Sequence, residues 1–267
     1  MRVLIAALLV CAFAFDANAA PRRIVSLDFC ADQFVLALAN RDQIAAVSRG
    51  ALREDSFYRS RAAGLRQIRP ELEEVLALRP DLLIRNFGGL ADAGVYARFG
   101  IPIVQIGDTN DFAGAHADLL RAAAAIGQRE RGNELAHDLD LRLERLAAAA
   151  PPHAPAVLYL SVGGAVAGER TMMGAVIDAA GGRNAATAPN WSMLPLERLT
   201  QMPPALIALG FFDTGRTRMD AWSPARHPVV RAALARARTL SLPAASVSCQ
   251  AWYNIDAAER LAAALRS

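Results

Sequence analysis

The side chains in this sequence best suited to chemistry are rings and guanidinium groups set in loops, and the chemistry they suit is ligand binding. In open parallel sheets a ligand sits beyond the carboxyl ends of the strands. In the first half that position selects Asp28, Phe29 and Cys30, then Arg49 and Arg53, then Asn86, Phe87 and Gly88. In the second half it selects residues 161–164, Trp191, Phe211, Phe212, Trp252 and Tyr253. Two of the three tryptophans, Trp191 and Trp252, therefore fall where a ligand would rest. Rigid aromatic faces hold a flat or bulky chelate with large contact area and little loss of side-chain freedom. The same rings would equally serve as lobe packing or loop anchors. Arg49, Arg53 and Arg85 would either complement an anionic ligand or, as lone arginines on loops more often are, simply be solvated.

Catalytic patterns are missing. The chain has no G-x-S-x-G elbow, no G-x-x-x-x-G-K-[ST] phosphate loop and no H-E-x-x-H, and Gly163, Gly164 and Gly168 are not spaced as a dinucleotide fingerprint. His116, His137, His153 and His227 are scattered, and no Cys/His cluster has metal-ligand spacing. No resident metal or cofactor is expected. Capture of a bare divalent cation, which needs several imidazoles and carboxylates to converge, is disfavoured for the same reason.

The element that must position these loops is residues 128–150, an amphipathic stretch of about 23 residues and roughly 35 Å if helical. Leu135, Leu139, Leu143 and Leu146 form one stripe, and Asp138 and Arg142 lie one turn apart on a wetter side. Before it, strands are predicted over 23–27, 44–47, 81–84 and 101–106, with helices over 31–38, 71–78 and 112–126. Asp111 or Asn110 would cap the last helix and Gly127 would end it. After Pro151, Pro152 and Pro155 the alternation restarts. Strands fall at 156–160, 205–209 and 245–248, and helices at 172–180, 196–200, 229–237 and 256–265. Strand, helix, strand at this pace argues for parallel sheets with right-handed crossovers. The expected architecture is α/β: two Rossmann-like lobes, 21–127 and 151–267, joined by one long helix over 128–150.

Residues 1–20 read as a cleavable signal peptide, with Arg2, an apolar core over 3–15, and Ala17-Asn18-Ala19 as the small-x-small cleavage pattern. Val10 before Cys11 argues against a lipoprotein box. The mature chain keeps a formal charge of +3, because the lost Arg2 and Asp16 cancel, and it has no dense basic run that would suit nucleic acid or a membrane surface. Beyond the leader there is no run of 18 uncharged apolar residues, so no membrane span is expected. Cys30 and Cys249 would meet an oxidising compartment. They either pair or stay buried and free, and their places at opposite ends of the chain argue against pairing.

Four blocks, in order, carry a family resemblance: 23–27 (RIVSL), 72–84 (LEEVLALRPDLLI), 180–184 (AGGRN) and 196–199 (LERL). They resemble the substrate-binding proteins of ABC importers for ferric siderophores and cobalamin, over essentially the whole mature chain. The second block is the specific one. The resemblance implies a helical-backbone periplasmic binding protein with little opening between its lobes. It also implies that Glu73 and Glu197, one per lobe, dock on arginines of the permease, with Glu74 competing for the role of Glu73. An exposed carboxylate meeting a guanidinium sets register and on-rate more than affinity. By pattern alone each glutamate is a solvated residue near a helix start.

The reading is a monomeric periplasmic protein, not an enzyme, that holds a metal chelate or corrinoid between its lobes. It would deliver this cargo to an inner-membrane permease and its ATPase. Loop tryptophans tilt the cargo towards a corrinoid and loop arginines towards a ferric siderophore. The alternative from another class is a secreted hydrolase-like α/β enzyme; a sensor or surface anchor is a third.

Overall fold

The computed structural model describes residues 20–86, 93–107, 109–194, 203–214 and 227–267. The first sheet contains β1 (Ile24–Ser26), β2 (Ile44–Ser48), β3 (Gln67–Ile68), β4 (Leu82–Asn86) and β5 (Ile103–Ile106), all parallel, in the order β3-β2-β1-β4-β5. The chain thus builds outward from β1 to one side and then returns to add β4 and β5 on the other. That reversal opens a crevice at the carboxyl ends of β1 and β4, because the flanking loops diverge to opposite faces.

Helix α1 (Phe29–Leu38) follows β1 directly; the Asp28 carboxylate accepts the Ala31 N–H at 2.9 Å as its cap. Short helices α2 (Leu72–Ala77) and α3 (Ala93–Ala97) connect the remaining strands. Helix α4 (Phe112–Ile126) is capped by Asp111, whose Oδ1 accepts from Gly114 N at 2.7 Å, and it ends at Gly127 in the left-handed region, φ +78°. Both signals were predicted, and α4 has the expected bounds.

Helix α5 (Arg129–Ala148) is the expected strut, 20 residues and about 30 Å long, slightly shorter than its sequence pattern. Leu139 and Leu146 are buried, and Leu135 and Leu143 pack partly buried on the same core. Helices α4 and α5 approach closely at Gly132, where a Cβ would lie 2.3 Å from that of Ala123.

Beyond α5 come β6 (Ala156–Ser161), β7 (Ala165–Val166), α6 (Met172–Ala179), β8 (Arg183–Asn184), β9 (Ser192–Met193), β10 (Leu206–Gly210), α7 (Pro228–Arg236), β11 (Thr239–Leu242) and α8 (Ile255–Arg266). The second sheet runs β11-β10-β6-β7-β9, with β8 also paired to β6. Strands β11, β10, β6 and β8 are parallel, whereas β7 runs antiparallel to both of its neighbours, β6 and β9. The strand expected at 245–248 is not formed. A 3-10 turn, Ala244–Ser246, follows Pro243 there, and the last strand is β11, one proline earlier. Residues 239–242 (TLSL) alternate polar and apolar, a half-buried strand that a search for apolar runs passes over.

One buried cluster runs from Ile24, Phe34 and Ile126, through Leu139 and Leu146, to Val157, Tyr159, Trp252 and Leu261. The two lobes therefore share a core layer through the strut. Their outer faces have separate clusters around Val25, Val75 and Leu83 and around Leu158, Ile207 and Val230. Among the described residues no helix is long and apolar enough to cross a membrane. The predicted signal peptide and the helix predicted at 196–200 lie outside the described residues.

Candidate functional site

On the first lobe, two carboxylates, the half-buried Asp28 and the buried Asp32, organise the loops at the carboxyl ends of three strands. Besides capping α1, Asp28 accepts the Asn86 N–H at 2.7 Å and so ties the end of β1 to the end of β4. Asp32, one turn on and fully buried, accepts the Ser48 N–H at 2.8 Å and the Ser48 hydroxyl at 2.6 Å, which fixes the end of β2. Burial dominates both titrations. It raises Asp28 above the usual carboxylate range against the opposing Ala31 and Asn86 N–H groups. It pushes Asp32 up to about 7 despite the hydrogen bonds from Ser48.

Phe29 and Arg53 meet at this edge. The Arg53 guanidinium lies 4.4 Å from the Phe29 ring centre and pairs with Asp55, its Nε donating to Oδ1 at 2.8 Å. Arg53 is thus already neutralised inside its own loop, contrary to the expectation of a guanidinium free for an anionic ligand. A Cβ at Gly50 would press on Phe29 at 3.0 Å, so glycine lets the loop close over the ring. Arg49 is exposed, Arg85 is half-buried, and Phe87 and Gly88 lie outside the described residues.

On the second lobe, Trp191 is 50% exposed and meets Tyr159 edge-on, with centroids 5.8 Å apart. Tyr159 is buried. Among the described residues its hydroxyl has no hydrogen-bond partner, and it lies where a Cβ on Gly210 would come within 1.9 Å. Phe211, just beyond β10, holds φ +66°, a left-handed conformation that is uncommon for a ring-bearing residue. Trp191, Tyr159, Met172, Met173 and Phe211 face Cys30 and Asn86 of the first lobe across a cavity of about 320 Å³. Phe211 also borders a neighbouring cavity of about 370 Å³, between Arg53 and Asp55 on one side and Ser161 and Gly163 on the other. The two spaces lie in the interlobe crevice, and each is within the size range of small-molecule sites.

Trp252 and Tyr253 are elsewhere, which corrects their assignment to the cleft wall. They form a 3-10 turn, Trp252–Asn254, are 4% and 2% exposed, and bury their rings against Phe34, Phe57 and Tyr58 of the first lobe. The nearest ring pair, Phe57 with Tyr253, stacks at 4.3 Å and 16°. Burial raises the Tyr58 hydroxyl to about 12.

Cys30 and Cys249 are bonded to each other across the lobes, contrary to the expectation drawn from their separation of 219 residues. Both line the 320 Å³ cavity. Sequence distance was a poor guide because the last helix folds back on α5 and returns residues 247–254 to the first lobe.

Of the docking pair, Glu73 is exposed in the first turn of α2. Among the described residues no side chain engages its carboxylate, whereas Glu74 accepts the Arg69 N–H at 3.1 Å. Glu197 lies outside the described residues. The cavity residues that sequence reasoning missed are Tyr159, Met172, Met173 and 247–250. Tyr159 sits in a strand buried on both faces, where no alternation marks it. The adjacent Met172 and Met173, directly after the Thr171 cap, were a visible signal.

Two α/β lobes with a cleft at their strand ends, set on a single long helix, define a two-lobed binding protein. A family model described as periplasmic binding protein matches residues 24–212, and the chain belongs to that family. Comparison with curated proteins gives no match. Among solved structures, a periplasmic heme-binding protein from Pseudomonas aeruginosa is 23% identical, with a TM-score of 0.68 over 91% of this chain and 92% of that one. The periplasmic heme-binding protein HutB of Vibrio cholerae is 20% identical, with a TM-score of 0.73 over 92% and 99%. The periplasmic vitamin B12 binding protein BtuF of Vibrio cholerae is 21% identical, with a TM-score of 0.68 over 92% and 96%. At these identities the likeness is one of fold.

Proposed function

We propose that this chain is the substrate-binding component of an ABC importer. It takes a planar metal-chelating macrocycle, a tetrapyrrole or corrinoid, into the cleft between Trp191 and the Cys30 edge, and hands it to a permease and its ATPase. The observation that carries this reading is Trp191: a half-exposed indole, buttressed by Tyr159 at the mouth of a cavity walled by Met172, Met173 and Phe211. Thioethers and aromatic rings favour a polarisable flat face. An anionic siderophore is the less favoured cargo, because Arg53 is already paired with Asp55. That heme and vitamin B12 proteins share the fold supports the same class.

Glu73, exposed in the first turn of α2, is the first-lobe docking carboxylate in this reading, and Glu197 is its second-lobe counterpart. Capture takes place in the periplasm, after removal of a leader ending near Ala19 or Ala20. No covalent step is involved.

The test is a titration of tryptophan fluorescence with hemin, cyanocobalamin and a panel of ferric siderophores, corrected for ligand absorption. Saturable quenching at micromolar or lower concentration by a macrocycle, without turnover, is expected. Binding of siderophores alone would overturn the cargo class, and hydrolysis of any ligand would favour the enzyme alternative.

A further inference from the structure

The end of the chain is tied across the lobe boundary by two independent means and to the strut by a third. Cys249 is bonded to Cys30 in the first turn of α1. Trp252 and Tyr253 insert among Phe34, Phe57 and Tyr58. Asp256 and Glu259 on α8 receive Arg142 from α5, at 2.5 Å and at 2.6 and 2.9 Å. Between them, the buried Asn254 makes one piece of the segment: its amide donates to the Ser246 carbonyl at 2.7 Å and accepts the Ala251 N–H at 2.8 Å. Residues 246–254 thus belong to the second lobe by sequence and to the first by packing.

The Cys30 and Cys249 Cα atoms are 5.6 Å apart. A disulfide tolerates up to about 6.8 Å, so this wall of the cleft can part by only roughly 1 Å. We propose that the Cys30–Cys249 bond is a lock on the cleft floor. Capture and release then proceed over a floor that does not open. The cargo half of this statement rests on the cleft being the binding site; the lock itself does not.

The test compares the mature wild-type protein with Cys30→Ser/Cys249→Ser by hydrogen exchange, without cargo. Two hydrogen-bonded amides of the clip, those of Ala251 and Asn254, are expected to exchange about 30- to 1000-fold faster in the variant. Amides of β1 and β6 are expected to keep their protection. Wild-type protein in dithiothreitol should give the same pattern and decides the matter if the double variant does not fold. Exchange at Ala251 and Asn254 within about threefold of the untreated wild type would show that packing alone holds the joint, and would overturn the proposal. Small-angle scattering with hemin or cyanocobalamin adds a second reading: the wild type should keep its radius of gyration on binding, and compaction would contradict the lock. Binding of neither probe would count against the cleft reading and leave the exchange result to decide the lock.

Discussion

The indole of Trp252 meets the ring of Phe34 edge-on, with centroids 4.9 Å apart and planes at 79°, so a residue from the end of the chain is built into the first helix of the opposite lobe. Edge-to-face pairs add about 0.5–1.5 kcal/mol to the area they bury. Trp252→Ala is expected to cost about 3–5 kcal/mol of unfolding free energy in urea melts. A loss below about 1 kcal/mol would show that this ring is not part of the core.

Trp191 gives the opposite expectation, because half of its surface is open. Trp191→Ala should change stability by less than about 1 kcal/mol and weaken hemin or cyanocobalamin binding at least tenfold. Calorimetric titration reads the second effect and thermal melting the first. The two tryptophans thereby separate a binding ring from a structural one.

Asp32 sets a pH dependence whose sign is unusual for a carboxylate. Its folded value of about 7 lies above the ordinary 3.8, so the folded protein binds the extra proton between these limits. The stability it contributes is fully present below pH 3.8 and is lost as pH rises through about 7. Asp28 is shifted in the same direction by burial. Urea melts should show stability falling between about pH 4 and 7 and levelling off above, and Asp32→Asn should flatten that fall. A rise with pH in the wild type would contradict the assignment.

Arg142 makes a forked pair with Glu259 and a further bond to Asp256. The pair lowers the Glu259 carboxyl, so its contribution is present above the unfolded value and fades as pH falls through the folded one. The acids are more than a third exposed and therefore screened. Arg142→Met should cost about 1 kcal/mol at low salt and less in 1 M salt. A loss independent of salt would indicate packing rather than charge.

Charge reversal at Glu73, with or without the same change at Glu197, should leave cargo affinity intact and lower uptake by a reconstituted permease about fivefold or more, as expected for a rim ion pair. Equal uptake by the wild type and the double variant would remove the docking role.

Much of this architecture was legible in the sequence because it follows from local rules. The leucine stripe of α5, the Asp111 cap and the Gly127 stop are all written within one or two turns. What escaped depends on return paths. The Cys30–Cys249 bond and the burial of Trp252 and Tyr253 arise only because α8 packs back against α5, a contact between residues more than a hundred positions apart. Arg53 was misread for a local reason: Asp55 lies two positions away, and a loop that turns within those residues pairs them.

The central claim is that the interlobe cleft, with Trp191 at its mouth, carries a macrocyclic chelate. Native mass spectrometry of the protein isolated from the periplasm of its own cell tests it most directly. The expected result is one bound chelate per chain with a matching visible absorption band, both lost in Trp191→Ala. A wild-type protein that arrives without adduct and takes up neither hemin nor cyanocobalamin on addition would contradict it.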